Sequence, residues 1–222
     1  MRHDLQRNHL VWLNDSAWQQ VMVKPWDSQE RSILSHWQTQ QLPLVLSTQR
    51  VQQTPATISL GLPAPTQWQR RKLALEVAPQ DIQRVGTFPA LEHIVQTEFA
   101  ETALHPFLKH MSALQVAVQV YGSFGWQHLT GIAYVRPGSD LDVIAKVPDL
   151  VIATEVARAL EALRLSVRVD GELAFPGGYA VAWREFLQWI DGKVDRVLVR
   201  SRTQVQLVNQ LPLYLLEAAC SA

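Results

Sequence analysis

The chain has 222 residues, room for one large domain or two small ones, and 47% hydrophobic residues with eight tryptophans supply a packed core. Its 20 Lys/Arg and 20 Asp/Glu cancel to zero net charge, which removes any global electrostatic case for nucleic acid or a membrane surface as partner. The single cysteine, Cys220, excludes a disulfide framework and a thiolate metal site. No run approaches the roughly 20 apolar residues a membrane span needs. The opening MRHDLQRNHL has no apolar stretch of the signal-peptide kind, so the expected location is cytoplasmic.

In chain order, a short apolar piece at 9–13 precedes Asn14-Asp15-Ser16, a helix-start signal. Asp27-Ser28 is expected to cap a second helix running to about Gln40. Residues 42–48 read as a strand, with Arg50 just beyond. Pro55, Pro63, Pro65 and Gly61 mark 55–66 as a loop-bound connection. Residues 69–78 alternate Leu73, Leu75 and Val77 with polar neighbours, the pattern of a half-buried strand. Arg70-Arg71-Lys72 stands at its entrance. The plain reading of that cluster is a solvated strand end, and the functional one is a docking surface for an acidic protein or for substrate phosphates. Residues 81–89, with Gly86 and Pro89, form the expected boundary, dividing the chain into domains 1–86 and 87–222.

Residues 89–111 look mainly helical, with a break expected at Pro106. The apolar run at 114–121 suggests a strand, interrupted by Gly122-Ser123, and 124–129 has the character of a short helix. A second strand starts at Ser139-Asp140-Leu141-Asp142 and continues through Val143-Ile144-Ala145. Pro148 and Asp149 open a helix whose apolar positions recur at helical spacing. Residues 165–170 alternate as a third strand, 176–178 form a turn, 180–190 a helix and 194–199 a fourth strand. The fold class expected is α+β: a mixed sheet with flanking helices, preceded by a smaller α+β N-terminal domain.

The chemistry concentrates around residue 122. A Gly-Ser turn between a strand and a helix N-terminus presents backbone N–H groups to an anion. Asp140 and Asp142 are two apart in an extended chain, so their carboxylates share a face while Leu141 turns into the core. Two carboxylates near a phosphate-cradling turn suggest Mg²⁺ with a nucleoside triphosphate or a similar substrate. Their mutual repulsion without a cation points the same way. Neither a Walker A nor a GxGxxG motif is present, and GSFG alone is too short to indicate a KH-type loop. Arg184, Lys193 and Arg196 are candidate phosphate partners, although the plain reading of each is a surface cation. His105 and His110 are five apart, which does not put both on one helical face for zinc. His128 lies in the motif helix. Trp126 and Trp183 read as core.

A Gly-Ser after a strand followed by Asp-x-Asp on the next resembles the nucleotidyltransferase superfamily that includes DNA polymerase β. The wording is more similar still to the phosphoribosyl-dephospho-CoA transferase family (malonate decarboxylase holo-acyl-carrier-protein synthase). The segments GSFGWQHLTG, GSDLDVI, RVDGELAFPGG and YAVAWREFL carry that resemblance, with looser similarity in LPLVLSTQR and ISLGLPAP. The long loop 130–138 departs from the superfamily at large but matches the narrower family.

The resemblance implies a nucleotidyltransferase-like fold and a third carboxylate after the third strand. Asp170 and Glu172 have the same parity there, and Asp170 is favoured because it directly continues the alternation of Ser166 and Arg168. It implies Asp140, Asp142 and Asp170 as catalytic and metal-binding residues for two Mg²⁺ ions, which Mn²⁺ can replace. Gly122 and Ser123 would hold the leaving pyrophosphate, with Arg184 and Lys193 as further substrate contacts. The implied donor is 2'-(5''-triphosphoribosyl)-3'-dephospho-CoA, and the acceptor is a serine of the apo acyl-carrier subunit of malonate decarboxylase. The alternatives are the citrate lyase carrier as acceptor, or a non-catalytic nucleotide- or carrier-binding module of the same fold. No nucleic-acid or membrane partner is expected.

Overall fold

Alternation builds the first sheet. The computed structural model describes residues 5–49, 57–98 and 104–211, so Arg50 and Cys220 fall outside the described residues. Strands β1 (Leu10–Leu13), β2 (Leu44–Leu46), β3 (Ile58–Pro63), β4 (Lys72–Val77) and β5 (Ile82–Gly86) form an antiparallel sheet in the order β4-β3-β2-β1-β5. In β4 every second residue is buried, placing Leu73, Leu75 and Val77 inward. Helices α1 (Asp15–Val23) and α2 (Ser28–Thr39) supply Trp18, Val21, Ile33, Leu34 and Trp37 to the same core. Burial of a side chain such as Ile33 or Leu34 stabilises by roughly 1.5–3 kcal/mol. Both helices start at the expected caps. The Ala17 amide donates to Asn14 Oδ1 at 2.8 Å, and Asp27 and Glu30 form a reciprocal capping box.

Two expectations for this half need correction. The proline-rich connection contains β3, whose Ile58, Leu60 and Leu62 face the core, while Pro63 sits at the strand end where a missing N–H is tolerated. The boundary segment contains β5, which pairs with β1 at the sheet edge.

The second half holds α3 (Leu91–Glu98), α4 (Leu104–Ala113), β6 (Val118–Val120), α5 (Gly122–Thr130), β7 (Leu141–Lys146) and α6 (Leu150–Ala162). It continues with β8 (Val169–Phe175), β9 (Tyr179–Ala182), α7 (Trp183–Ile190), β10 (Val197–Arg200) and β11 (Val205–Val208). Pro106 lies in the first turn of α4, where its missing N–H has no intrahelical partner to lose, so it does not break that helix. The central strand is shorter than expected because α4 runs to Ala113 and Gln115 adopts a left-handed φ of 57°. The third strand starts at Val169 and extends past Asp170 to Phe175. Residues 179–182 pair as β9 before α7 begins, and β11 is an unforeseen, largely exposed edge strand.

The fold is α+β. The six-stranded sheet has the order β11-β10-β9-β8-β7-β6, with β7 and β8 parallel and the other neighbours antiparallel, the mixed sheet of a nucleotidyltransferase-like domain. Leu141, Val143, Ala145, Val169, Leu173 and Phe175 point to the core that α6 and α7 complete. Asp142, Ile144, Asp170 and Glu172 therefore lie on the opposite face, toward the first sheet. Gly171 is required between them: at φ 138°, a Cβ there would lie 1.9 Å from the Val143 carbonyl oxygen. Among the described residues, no helix is long and apolar enough to cross a membrane.

Helix α5 joins the two cores. Phe124 belongs to the second core, whereas Trp126 belongs to the first, packed edge-on to Phe88 at 5.5 Å and stacked near Tyr134 at 6.2 Å. The long loop after α5 is well fastened. Gln127 Oε1 accepts from the amides of Tyr134 and Val135, and the Tyr134 hydroxyl donates to the Pro63 carbonyl at 2.8 Å.

Candidate active site

Parallel register brings the acids together. Asp142 on β7 stands directly beside Asp170 on β8, a separation of about 4.8 Å between neighbouring strands. Asp140 immediately precedes β7. Arg168 lies between, 3.2 Å from Asp170 and 3.9 Å from Asp140, and the Gly171 amide donates to Asp170 Oδ1 at 2.9 Å. Among the described residues, Asp142 has no such partner. Burial, followed by the charges of Asp170 and Asp140, pushes its carboxyl up to about 6, with only partial relief from Arg168.

The turn before α5 is moulded onto Asp142. The Tyr121 amide donates to the Asp142 carbonyl at 3.0 Å. Gly122 has φ 61°, and a Cβ there would sit 1.9 Å from Asp142 Oδ2, so only glycine fits. Among the described residues, no side chain caps the N-terminus of α5, which opens at Gly122 and Ser123 on the cavity side. Burial and the charges of Glu172, Asp142 and Asp170 hold the Tyr121 hydroxyl above the usual phenol range.

Gly122, Ser123, Tyr121 and Asp142 line one wall of a cavity of about 290 Å³. The facing wall belongs to the first domain and includes Arg70, Lys72 and Asn8. A larger cavity, about 510 Å³, lies further along the same sheet face, lined by Arg7, Lys146 and Phe175 but by none of the three aspartates. Of the three aspartates, Asp142 lines the smaller one, together with the glycine turn, which makes it the candidate site.

Glu172 has a different environment from Asp170. It is 6% exposed and is held by Arg7 Nη2 at 2.8 Å and Nε at 3.3 Å, with Asn8 at 3.4 Å and Arg200 at 3.8 Å. Arg184 lies over the Trp183 ring and donates to the Val169 carbonyl at 2.8 Å, beside the start of β8. The structure does not bring Lys193 to the carboxylates. Its ammonium pairs with Asp191, which also holds Arg158 of α6, in the helical layer behind the sheet. Trp126 and Trp183 are buried in the cores, and Arg196 is exposed. The roles of Arg168, Arg7 and Asn8 carry no local sequence signal, because their partners are set by strand pairing and domain packing.

Among the described residues, no three His, Cys, Asp or Glu side chains converge into a ready metal-ligand cluster. Arg168 instead pairs with Asp170 and Asp140. The Asp142–Asp170 pair nevertheless suits a divalent cation: oxygen donors, adjacent, and under-compensated in charge.

Comparison with known proteins places these features in a lineage. A family model described as the phosphoribosyl-dephospho-CoA transferase MdcG N-terminal domain matches residues 6–88, and one for the MdcG C-terminal domain matches 90–211. The chain belongs to the phosphoribosyl-dephospho-CoA transferase family. It is 34% identical to the protein of that name from Xanthomonas euvesicatoria pv. vesicatoria, over 96% of this chain and 98% of that protein. The namesakes from Xanthomonas axonopodis pv. citri and Bradyrhizobium diazoefficiens are 32% and 30% identical, covering 94% and 92% of this chain and 96% and 90% of theirs. No solved structure matches the chain.

Proposed function

We propose that this chain transfers the phosphoribosyl-dephospho-CoA group from 2'-(5''-triphosphoribosyl)-3'-dephospho-CoA to a serine of the apo acyl-carrier subunit of malonate decarboxylase, releasing pyrophosphate. The observation that carries the reading is the side-by-side pair Asp142 and Asp170, with Asp142 set directly against the Gly122-Ser123 turn on one wall of the cavity. Asp142, Asp170 and Asp140 would hold Mg²⁺, with Arg168 yielding its place between the latter two. Bound there, the cation would neutralise charge on the reacting phosphoryl oxygens and on the leaving pyrophosphate.

The chain's own residues do the rest. The serine hydroxyl attacks the phosphorus next to the ribose, and its proton passes to Asp170, the less hindered carboxylate of the pair. The phosphoanhydride bond to pyrophosphate breaks as the new ester bond forms. The first amides of α5 and the Ser123 hydroxyl donate to the departing oxygens. The buried aromatic cluster of Phe88, Trp126 and Tyr134 keeps one side of the cavity dry.

The test is reconstitution with purified apo-carrier, donor and Mg²⁺, read as the mass gained by the carrier and the pyrophosphate released. Equimolar modification of the malonate decarboxylase carrier is expected, abolished by chelation and by Asp142→Asn. An unmodified carrier, or preference for the citrate lyase carrier in a parallel reaction, would overturn the assignment of substrate.

A further inference from the structure

The basic triplet at 70–72 is divided by the fold. Arg71 turns toward α2, where its guanidinium pairs with Asp27 at 2.6 Å and Glu30 at 2.9 Å and donates to Gln29 at 3.1 Å. Arg70 and Lys72 turn the other way and line the cavity that contains Ser123 and Asp142. Neither has an ion-pair partner among the described residues. Arg70 is also held in a left-handed conformation, φ 57°, directly after Gln69 at φ 56°. Such a backbone costs a non-glycine residue on the order of 1 kcal/mol, which fits a side chain aimed for a purpose.

The lining decides what these cations meet. The cavity, about 290 Å³, has room for a chain of phosphates and carries the Gly122-Ser123 turn beside the two cations. Two cations on one wall and the Asp142 carboxylate on the other also form a charge pattern that suits a polyphosphate accompanied by a divalent cation.

We propose that Arg70 and Lys72 of the N-terminal domain grip the polyphosphate of the donor, so that the donor site is complete only when both domains contribute. This rests on the transferase reading for the identity of the donor. Of the two functional readings of the cluster, docking of an acidic protein or of substrate phosphates, it selects the second for Arg70 and Lys72, and it assigns Arg71 to holding α2 against the sheet. The N-terminal domain is thereby part of the active site rather than an appended adaptor.

Calorimetric titration of the full chain with inorganic tripolyphosphate and Mg²⁺ tests the grip without turnover. Arg70→Ala/Lys72→Ala, with unchanged circular dichroism, should weaken tripolyphosphate at least tenfold, while Arg71→Ala leaves it within twofold. In the transfer assay the double variant should raise KM for the donor at least tenfold and leave KM for the carrier within twofold. Tripolyphosphate affinity unchanged in the double variant, or a rise confined to carrier KM, overturns the proposal. If tripolyphosphate binding follows Arg70 and Lys72 while no variant, nor the wild type, modifies the carrier, the grip stands and the transferase reading falls.

Discussion

Asp170 and Glu172 lie two residues apart on one strand and point to the same side, yet the molecule treats them oppositely. Glu172 is buried against Arg7, Asn8 and Arg200, its charge matched by groups drawn from both ends of the chain. Asp170 stands open beside Asp142, where one exposed arginine pairs with Asp140 and Asp170 and leaves Asp142 under-compensated. Matched charge at one end of the face fastens the domains together, and unmatched charge at the other is available for a ligand. The distinction can be broken, or sharpened, by substitution.

The largest effect is expected at the unmatched end. Asp142→Asn and Asp170→Asn should each lower transfer by at least about 10²–10³-fold while Glu172→Gln does not, because in the proposed mechanism only the first two meet the reacting groups. Steady-state kinetics corrected for the folded fraction would check this, and the reverse order of damage would remove Asp170 from the chemistry.

Gly122→Ala comes next. A Cβ at 1.9 Å from Asp142 Oδ2, on a left-handed backbone, should cost on the order of 2 kcal/mol and displace the carboxylate. Denaturant unfolding would show the destabilisation, and activity should fall further than the folded fraction does.

At the matched end, Glu172→Gln should cost about 2 kcal/mol by leaving Arg7 and Arg200 short of a counter-charge in a largely buried setting. Its activity per folded molecule should stay within about threefold of wild type. A stability equal to wild type would show that the cross-domain ion pair holds nothing together.

A smaller, pH-dependent gain is expected from Asp142→Asn in chelator. The folded protein holds the Asp142 proton up to about 6, against 3.8 for an ordinary aspartate, so it binds more protons than the unfolded chain between those values. Stability then falls as pH rises through that window. Removing the charge should restore roughly 1 kcal/mol above pH 6, after discounting for solvent screening, and nothing below pH 4. Thermal melts across pH 4–8 would show the two curves converging at the acid end. Arg71→Ala should have the smallest effect, about 0.5–1 kcal/mol, since its ion pairs are partly exposed.

Much of this molecule was legible locally. The caps at Asn14, Asp27 and Asp149, the alternation of 72–77 and the helical periodicity after 149 are interactions between residues a few positions apart, and they appear where the spacing predicts. That Asp140 and Asp142 share a side was readable for the same reason, since parity along one strand is a local property, whereas the Gly-Ser turn meets Asp142 through the pairing of β6 with β7. The strands at 58–63 and 82–86 were missed because proline and glycine signal turns only when no neighbouring strand recruits the segment. Their pairing with β2, β4 and β1 overrode the local cue.

What tertiary structure alone decided is the assignment of charges. Asp170 and Glu172 were equivalent by parity and were separated by an arginine 165 residues from Glu172 in sequence. Arg70, Arg71 and Lys72 were one basic cluster in the sequence. The fold turned Arg71 to a helix cap and the other two to a cavity whose far wall comes from residues 121–142. Sequence determines side-chain direction within an element because backbone geometry is periodic. Which partner a charge meets depends on how elements distant in the chain pack, and no local pattern encodes that.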